Sequence, residues 1–463
     1  MKVDLGKTLK TAVYAFLVIF MCNLIFTTIY ASSTLIPKSK VINSLQKSQS
    51  NQTLKTPLGA VERSTTGLGI DYGTECAAIS IGLRNSPNYP EVNKYLQRFY
   101  DGYLESGANK GVFDPCSGLV ELIDSNKSVA QDSNLISYAR NWWGMSIVVQ
   151  LGILLFGLAT TKIYLYIIML VSLCALYFQI TKYFQNWKIG LLILFPFILF
   201  GDFQELQNSF PFALFTIELF ISGFLVMYYL NQNSLNSKKI LNFSLVLGSI
   251  YNFIFWFNFH LILTFIPILI FMALFRIEKI SIIYKKITVF IIGFCSGFIV
   301  TTAIKWLISG ALFGTEIWES IKVALNTRLG TTGLNGPLSE YSSSFAGFPV
   351  SLRAIVINLM VAASKIIDPR NASLTGILVI LILVSILISR FIYKINFASA
   401  LKMKEFLAAV PVFMIPYFYY VLTPNHSFNH AVLSYRAVPL SFGFLLGLFY
   451  LSTLQKEIKR VTS

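Results

Sequence analysis

Charge is the scarcest commodity in this chain: Asp, Glu, Lys and Arg make up 13% of its 463 residues, against about 25% in a soluble domain. That scarcity excludes a string of soluble domains, which the length would otherwise suggest. Histidine occurs three times and cysteine five. No paired-cysteine metal motif, P-loop, internal repeat or low-complexity tract is present, which removes zinc-ribbon, P-loop nucleotidase and solenoid readings. The lack of an evident inverted repeat also weighs against many transporter folds. Apolar residues fill the space instead: 55% are hydrophobic, 15% aromatic, and the mean hydropathy is +0.65. The chain reads as an all-α polytopic membrane protein.

About 20 apolar residues span the hydrocarbon core. The first such run, Thr11–Ala31, follows Lys2, Lys7 and Lys10, which hold the N-terminus in the cytoplasm. Ala31-Ser32-Ser33 is a mediocre cleavage signal, so residues 1–31 are expected to stay as an anchor. A polar stretch, Ser32–Trp142, then carries ten of the 21 acids and is expected to be a large first extracytoplasmic loop. Further apolar segments start near Gly144, Ile163, Ile189, Ser209, Ile240, Leu261, Ile287, Leu352, Leu374, Phe406 and Val432.

Were all twelve segments to cross, Lys238, Lys239, Arg276, Lys279, Lys285 and Lys286 would lie outside, against the positive-inside bias. The charges fit about ten crossings (10–12), with both termini cytoplasmic. Leu352–Ile366, which carries Arg353 and Lys365, and one segment between Gly144 and Gly201 are expected not to cross. Residues 143–455 then form the multi-helix membrane domain and 456–463 a cytoplasmic tail in the inner or plasma membrane. The net charge of +16 sits largely in cytoplasmic turns beside anionic headgroups and points to membrane lipids, not nucleic acid. Cys76 and Cys116 are the two cysteines of the polar loop and are expected to pair in an oxidising compartment.

Candidate chemistry gathers on the outer face. Asp71 and Glu75 are four residues apart, a spacing that puts both on one face of a helix starting there. They suit a general base, or equally a solvated turn capped by Asp71. Pro424-Asn-His-Ser-Phe-Asn-His430, followed by Tyr435-Arg436, holds two of the three histidines. Imidazoles beside Arg436 suit a phosphate, or a polar helix cap, and only weakly a metal. Gly201-Asp-Phe-Gln-Glu-Leu-Gln-Asn208 is a polar knot whose Asp202, Gln204 and Glu205 suit acceptor hydroxyls, or a headgroup loop. Glu218, inside an apolar run, needs a partner, while His260 reads as a satisfied interface residue. Lys305-Trp306 at the end of a crossing and Asn326-Thr-Arg328 in the loop beyond it suit an anion, or ordinary snorkelling. Arg140 and Trp142 belong to an aromatic belt or a sugar and phosphate platform.

These motifs together resemble a family of bacterial multi-pass membrane proteins with a terminal P-N-H-S-x-x-H-x-x-x-x-Y-R signature, matched at Pro424–Arg436, and a K-W pair, matched at Lys305-Trp306. Thr74-Glu75 stands where the family has Thr-Asp, and Arg140-Asn-Trp-Trp-Gly144 replaces its Arg-Tyr-Trp-His-Gly. The plan is also similar to GT-C-type glycosyltransferases, which use polyprenyl-phosphate sugars and carry a catalytic carboxylate in a large first external loop. That likeness implies a GT-C-like fold in which Asp71 or Glu75 is the base.

The expected activity is an extracytoplasmic glycosyltransferase moving a sugar from a polyprenyl-phosphate donor to a cell-surface glycan or glycolipid acceptor. Asp71 or Glu75 would deprotonate the acceptor. Arg436, Lys305, Arg328, His426, His430 and Arg140 would hold the donor phosphate. Asp202, Gln204, Glu205 and Trp142 would bind the acceptor. No cofactor is required by these motifs, and a divalent cation is the one addition left open. A flippase or transporter of lipid-linked or polymeric saccharide, or a polysaccharide polymerase or ligase, is the alternative.

Overall fold

A computed structural model describes residues 5–50, 72–83, 94–97, 99, 102–104, 115–125, 135–137, 140–200, 209–232, 235–255, 259–275, 277–329, 349–367, 403–429 and 434–462. The described chain is helical apart from one short antiparallel ribbon, β1 (Gly102–Leu104) with β2 (Leu135–Ser137), in which Tyr103 faces Ile136. Among the described residues, four helices are long and apolar enough to cross a membrane. They are α1 (Leu5–Ser32), α6 (Leu158–Phe184), α8 (Phe210–Asn231) and α11 (Ile280–Phe313). Shorter apolar helices join them: α5 (Gly144–Phe156), α7 (Trp187–Phe200), α9 (Ser237–Phe255), α10 (Phe259–Leu274), α13 (Val350–Ile367), α14 (Met403–Phe413), α15 (Ile415–Leu422) and α17 (Ala437–Thr462). The polar loop adds α2 (Lys38–Ser50), α3 (Tyr72–Ser80) and α4 (Pro115–Ser125), while α12 (Thr315–Leu329) and α16 (Pro424–Asn429) are short polar-flanked helices.

Side-chain bonds sort the helix ends into two ends of one bundle. Tyr183 donates to the Ala273 carbonyl at 2.8 Å, Asn231 to Gln179 Oε1 at 2.8 Å, and Lys286 pairs with Glu278 at 2.6 Å. This end carries Lys182, Lys188, Lys238, Lys239, Lys279 and Lys285 as well, and is the basic end. At the other, the loop end, Phe26 of α1 stacks on Phe253 of α9 at 4.4 Å and the Trp142 indole donates to the Thr301 carbonyl of α11 at 3.2 Å. The histidine motif in α16 and the start of α17 meet α13 there too.

Two apolar segments do not run between the ends in the way the others do. Gly144, at the start of α5, lies against Phe253 so closely that a Cβ would sit 2.6 Å from its ring. Farther along α5, Ser44 of α2 donates to the Ile153 carbonyl at 3.3 Å. Both ends of α5 are thus at the loop end. The midpoint of α13 packs on the loop end as well, since Asn358 donates to Ser427 O at 3.0 Å and accepts from Ser434 Oγ at 2.7 Å.

Packing follows residue size. Gly248 of α9 and Gly293 and Gly297 of α11 face the opposite helix so closely that a Cβ at Gly248 would collide with the Phe294 carbonyl. Small residues let helix backbones approach where lipid offers no hydrophobic driving force. Only 17% of the apolar window of α1 is buried in the protein, against 72% of that of α8. Leu9, Phe16, Phe20, Leu24 and Ile29 leave an exposed stripe on α1, whereas α8 is the central helix.

Candidate functional site at the loop end

The loop domain is pinned first. Cys76 of α3 and Cys116 of α4 form a disulfide, with their Cα atoms 5.0 Å apart. Gln150 of α5 donates to the Ile79 and Ile81 carbonyls at 3.0 and 2.6 Å, tying α3 onto the membrane helices. That fixes Glu75, one residue before Cys76. Its side chain is 4% exposed and forms a 2.5 Å ion pair with Lys162, in the first turns of α6, whose side chain is 21% exposed. Glu75 is therefore not an open base: one oxygen is held by an ammonium in a partly desolvated setting. Asp71 lies outside the described residues, and α3 begins just after it.

The Lys162 ammonium sits 5.4 Å from the centre of the Phe210 ring, and the Arg436 guanidinium 4.6 Å from that of Phe212. Phe210-Pro-Phe212 is the first turn of α8. Proline at this position needs no N–H partner and presets the helical φ. Two cations therefore flank one helix N-terminus, each resting on an aromatic face. Ser209 is the N-cap, yet its hydroxyl does not cap the helix. It is 1% exposed and its Oγ has no partner among the described residues. Arg436 is 2% exposed. The helix N-terminus, its unused N-cap hydroxyl and the two cations that flank it are groups of the kind that suit an anion.

The remaining expectations divide. Lys305-Trp306 is not at a helix end: α11 runs on to Phe313. Lys305 is fully buried, donates to the Phe99 carbonyl at 3.0 Å, and lies 4.4, 5.1 and 5.3 Å from the ring centres of Phe99, Tyr30 and Trp142. Held by that carbonyl and those rings, the Lys305 ammonium fastens the Phe99 segment of the loop to α11. Trp142, expected on an acceptor platform or in an aromatic belt, is a core residue, 1% exposed. Arg140 donates to Ser320 of α12 at 2.7 Å, and its carbonyl accepts from Trp306 at 2.8 Å. The Asn326–Arg328 stretch belongs to helix α12 rather than a loop, because Ile317 and Ile321 give it a buried apolar side and no Gly or Pro interrupts it.

His426 lies half-buried in α16 between buried Asn425 and Ser427. His260 is buried, donates to the Ser434 carbonyl at 3.0 Å and stacks on Tyr419 at 4.3 Å. His430, Asp202, Gln204 and Glu205 lie outside the described residues, and the Arg328 side chain does so too. Among the described residues no three His, Cys, Asp or Glu side chains converge as metal ligands. Glu218 is the outlier: neither carboxylate oxygen has a partner among the described residues. Sequence reading missed Lys162, which stands at the edge of an apolar run and looks like ordinary helix-end snorkelling. Its signal was a lone cation one turn into a loop-end helix.

Comparison with family models, curated proteins and solved structures finds no match to this chain.

Proposed function

We propose that this chain is a GT-C-like membrane glycosyltransferase working at the loop end, with a polyprenyl-phosphate-linked sugar as donor and a cell-surface glycan or glycolipid as acceptor. The observation that carries the reading is the enclosed guanidinium of Arg436 over Phe212, beside an N-cap Ser209 whose hydroxyl is not used by its own helix. A buried cation at a helix N-terminus is suited to a phosphate leaving group.

On this reading about ten stretches cross the membrane, and α1, α6, α7, α8, α9, α10, α11, the α14–α15 pair and α17 are the candidates among the described residues. The cluster of lysines assigns the basic end to the cytoplasm, so the loop end faces outward in the cell membrane and both termini lie inside.

In this mechanism the acceptor hydroxyl attacks the anomeric carbon while the bond from that carbon to the phosphate oxygen breaks. The hydroxyl proton passes to a carboxylate, and the lipid phosphate leaves with its new charge held by Arg436. With Glu75 engaged by Lys162, the proton-taking role falls to Asp71. His426, His430 and Arg328 stay candidates for the phosphate, and Asp202, Gln204 and Glu205 for the acceptor.

Transfer of labelled sugar in liposomes tests this. Asp71→Asn should abolish transfer with folding intact, and Arg436→Lys should weaken both donor binding and turnover, since a bidentate guanidinium is not replaced by an ammonium. Full transfer by both variants would remove the reading. Glu218, whose enclosed carboxyl oxygens have no partner among the described residues, favours a second one, a saccharide flippase or transporter, because intramembrane acids mark transport pathways. Movement of lipid-linked saccharide across liposomes without any transfer would select it.

A further inference from the structure

We infer that Lys162 is a phosphate ligand of the lipid substrate and that Glu75 is its internal counterion, occupying the ammonium until the substrate phosphate displaces it. The inference rests on the lipid-phosphate reading above and extends it to a residue pair that reading does not use for binding.

Position is the first ground. Lys162 packs over Phe210, in the same first turn of α8 as Phe212 beneath Arg436, so it stands at the same helix N-terminus from another side. Ser209 Oγ, 1% exposed and without a partner among the described residues, supplies a hydroxyl there that its own helix does not use.

Layering is the second. Lys162 is 21% exposed and Glu75 4%, so an arriving anion meets the ammonium first, with the carboxylate behind it. Glu75 is the anion already present, 2.5 Å from Nζ. Its backbone is fixed by the neighbouring disulfide and by Gln150, so it does not follow the lysine when a ligand draws it away.

Chemistry is the third. An ammonium is a compact point charge on a flexible stem that can swing between two anions.

The sign of the consequence is fixed. Removing an internal competitor tightens binding, whereas removing a catalytic or structural carboxylate does not. The experiment titrates a short-chain polyprenyl monophosphate into the purified full chain in nanodiscs. The matching polyprenol and inorganic phosphate are parallel arms. Glu75→Gln should bind the lipid phosphate about tenfold more tightly, the scale of one charge-assisted hydrogen bond. Lys162→Met should bind it about tenfold more weakly, and the double variant should follow Lys162→Met. Polyprenol should bind all variants alike. Saturation by inorganic phosphate at equal concentration would assign the site to the free ion instead and overturn the lipid claim.

If Glu75→Gln does not fold, the exchanged pair Lys162→Glu with Glu75→Lys keeps the contact but buries the cation, and it should lose lipid-phosphate binding. Unchanged or weaker binding in folded Glu75→Gln, or wild-type binding by Lys162→Met or by the exchanged pair, overturns the inference. The assay needs no acceptor. Binding in the expected pattern without sugar transfer would sink the transferase and keep the pair, and transfer without any dependence on Lys162 would do the reverse.

Discussion

Two buried polar regions of this bundle handle the same physical problem in opposite ways. Around Lys305, polar groups find partners inside the protein: an ammonium on a carbonyl and three rings, and the Trp142 indole on Thr301. Along α8, Ser209, Thr216 and Glu218 carry side-chain oxygens with no partner among the described residues. Buried polar groups are nearly always satisfied, and each exception calls for a reason. The difference teaches where to look for function. The satisfied cluster couples the loop domain to α1 and α11, and the unsatisfied oxygens are strung along α8, whose first turn carries the two cations.

The comparison can be broken most forcefully at Trp142, which touches Phe26, Tyr30, Phe99 and Phe253. Trp142→Ala should cost about 3–5 kcal/mol, read as a loss of folded yield and of the thermal midpoint in micelles. A midpoint unchanged from wild type would remove the cage from its structural role.

Next in size is the disulfide. Its 40-residue separation predicts that Cys76→Ser or Cys116→Ser costs about 4 kcal/mol. Wild type should lose the same amount on reduction, and the serine variants should no longer respond to reductant.

Lys305→Met should cost about 2 kcal/mol, the loss of a desolvated cation–π set and a charged hydrogen bond. A variant as stable as wild type would show that the cation is dispensable to the cage.

The smallest effect should carry the opposite sign. Glu218→Gln replaces a carboxyl whose oxygens have no partner among the described residues with an amide of the same shape and should leave stability unchanged or raise it by about 1 kcal/mol, with sugar transfer retained. Destabilisation on the Lys305 scale would mean the two regions are alike after all. Lost transport with intact folding would favour the flippase reading.

How much of this was legible in the sequence depends on what each signal measures. The long apolar runs of α1, α6, α8 and α11 were readable because crossing a membrane requires length and apolarity together. The pairing of Cys76 with Cys116 was readable by elimination, as the two cysteines of the polar stretch. Whether α5 crosses was not readable, because a 13-residue apolar run looks alike lying flat or standing. α12 was taken for loop because its buried side rests on two isoleucines among polar residues. Arg436 was found through its motif. Lys162 was not, because hydropathy does not encode that α3 folds back to set Glu75 against it. Lys305 was singled out, but its surroundings were not readable: its partners Tyr30, Phe99 and Trp142 come from three distant parts of the chain.

The central claim is that the loop end holds the phosphate of a lipid substrate at the first turn of α8. A structure of the chain in nanodiscs saturated with polyprenyl monophosphate tests it most directly. The account predicts phosphate density within hydrogen-bond reach of Ser209 and of Arg436 or Lys162, with the prenyl chain running into the bilayer. Phosphate density among the lysines of the basic end, with the first turn of α8 unchanged, would contradict it.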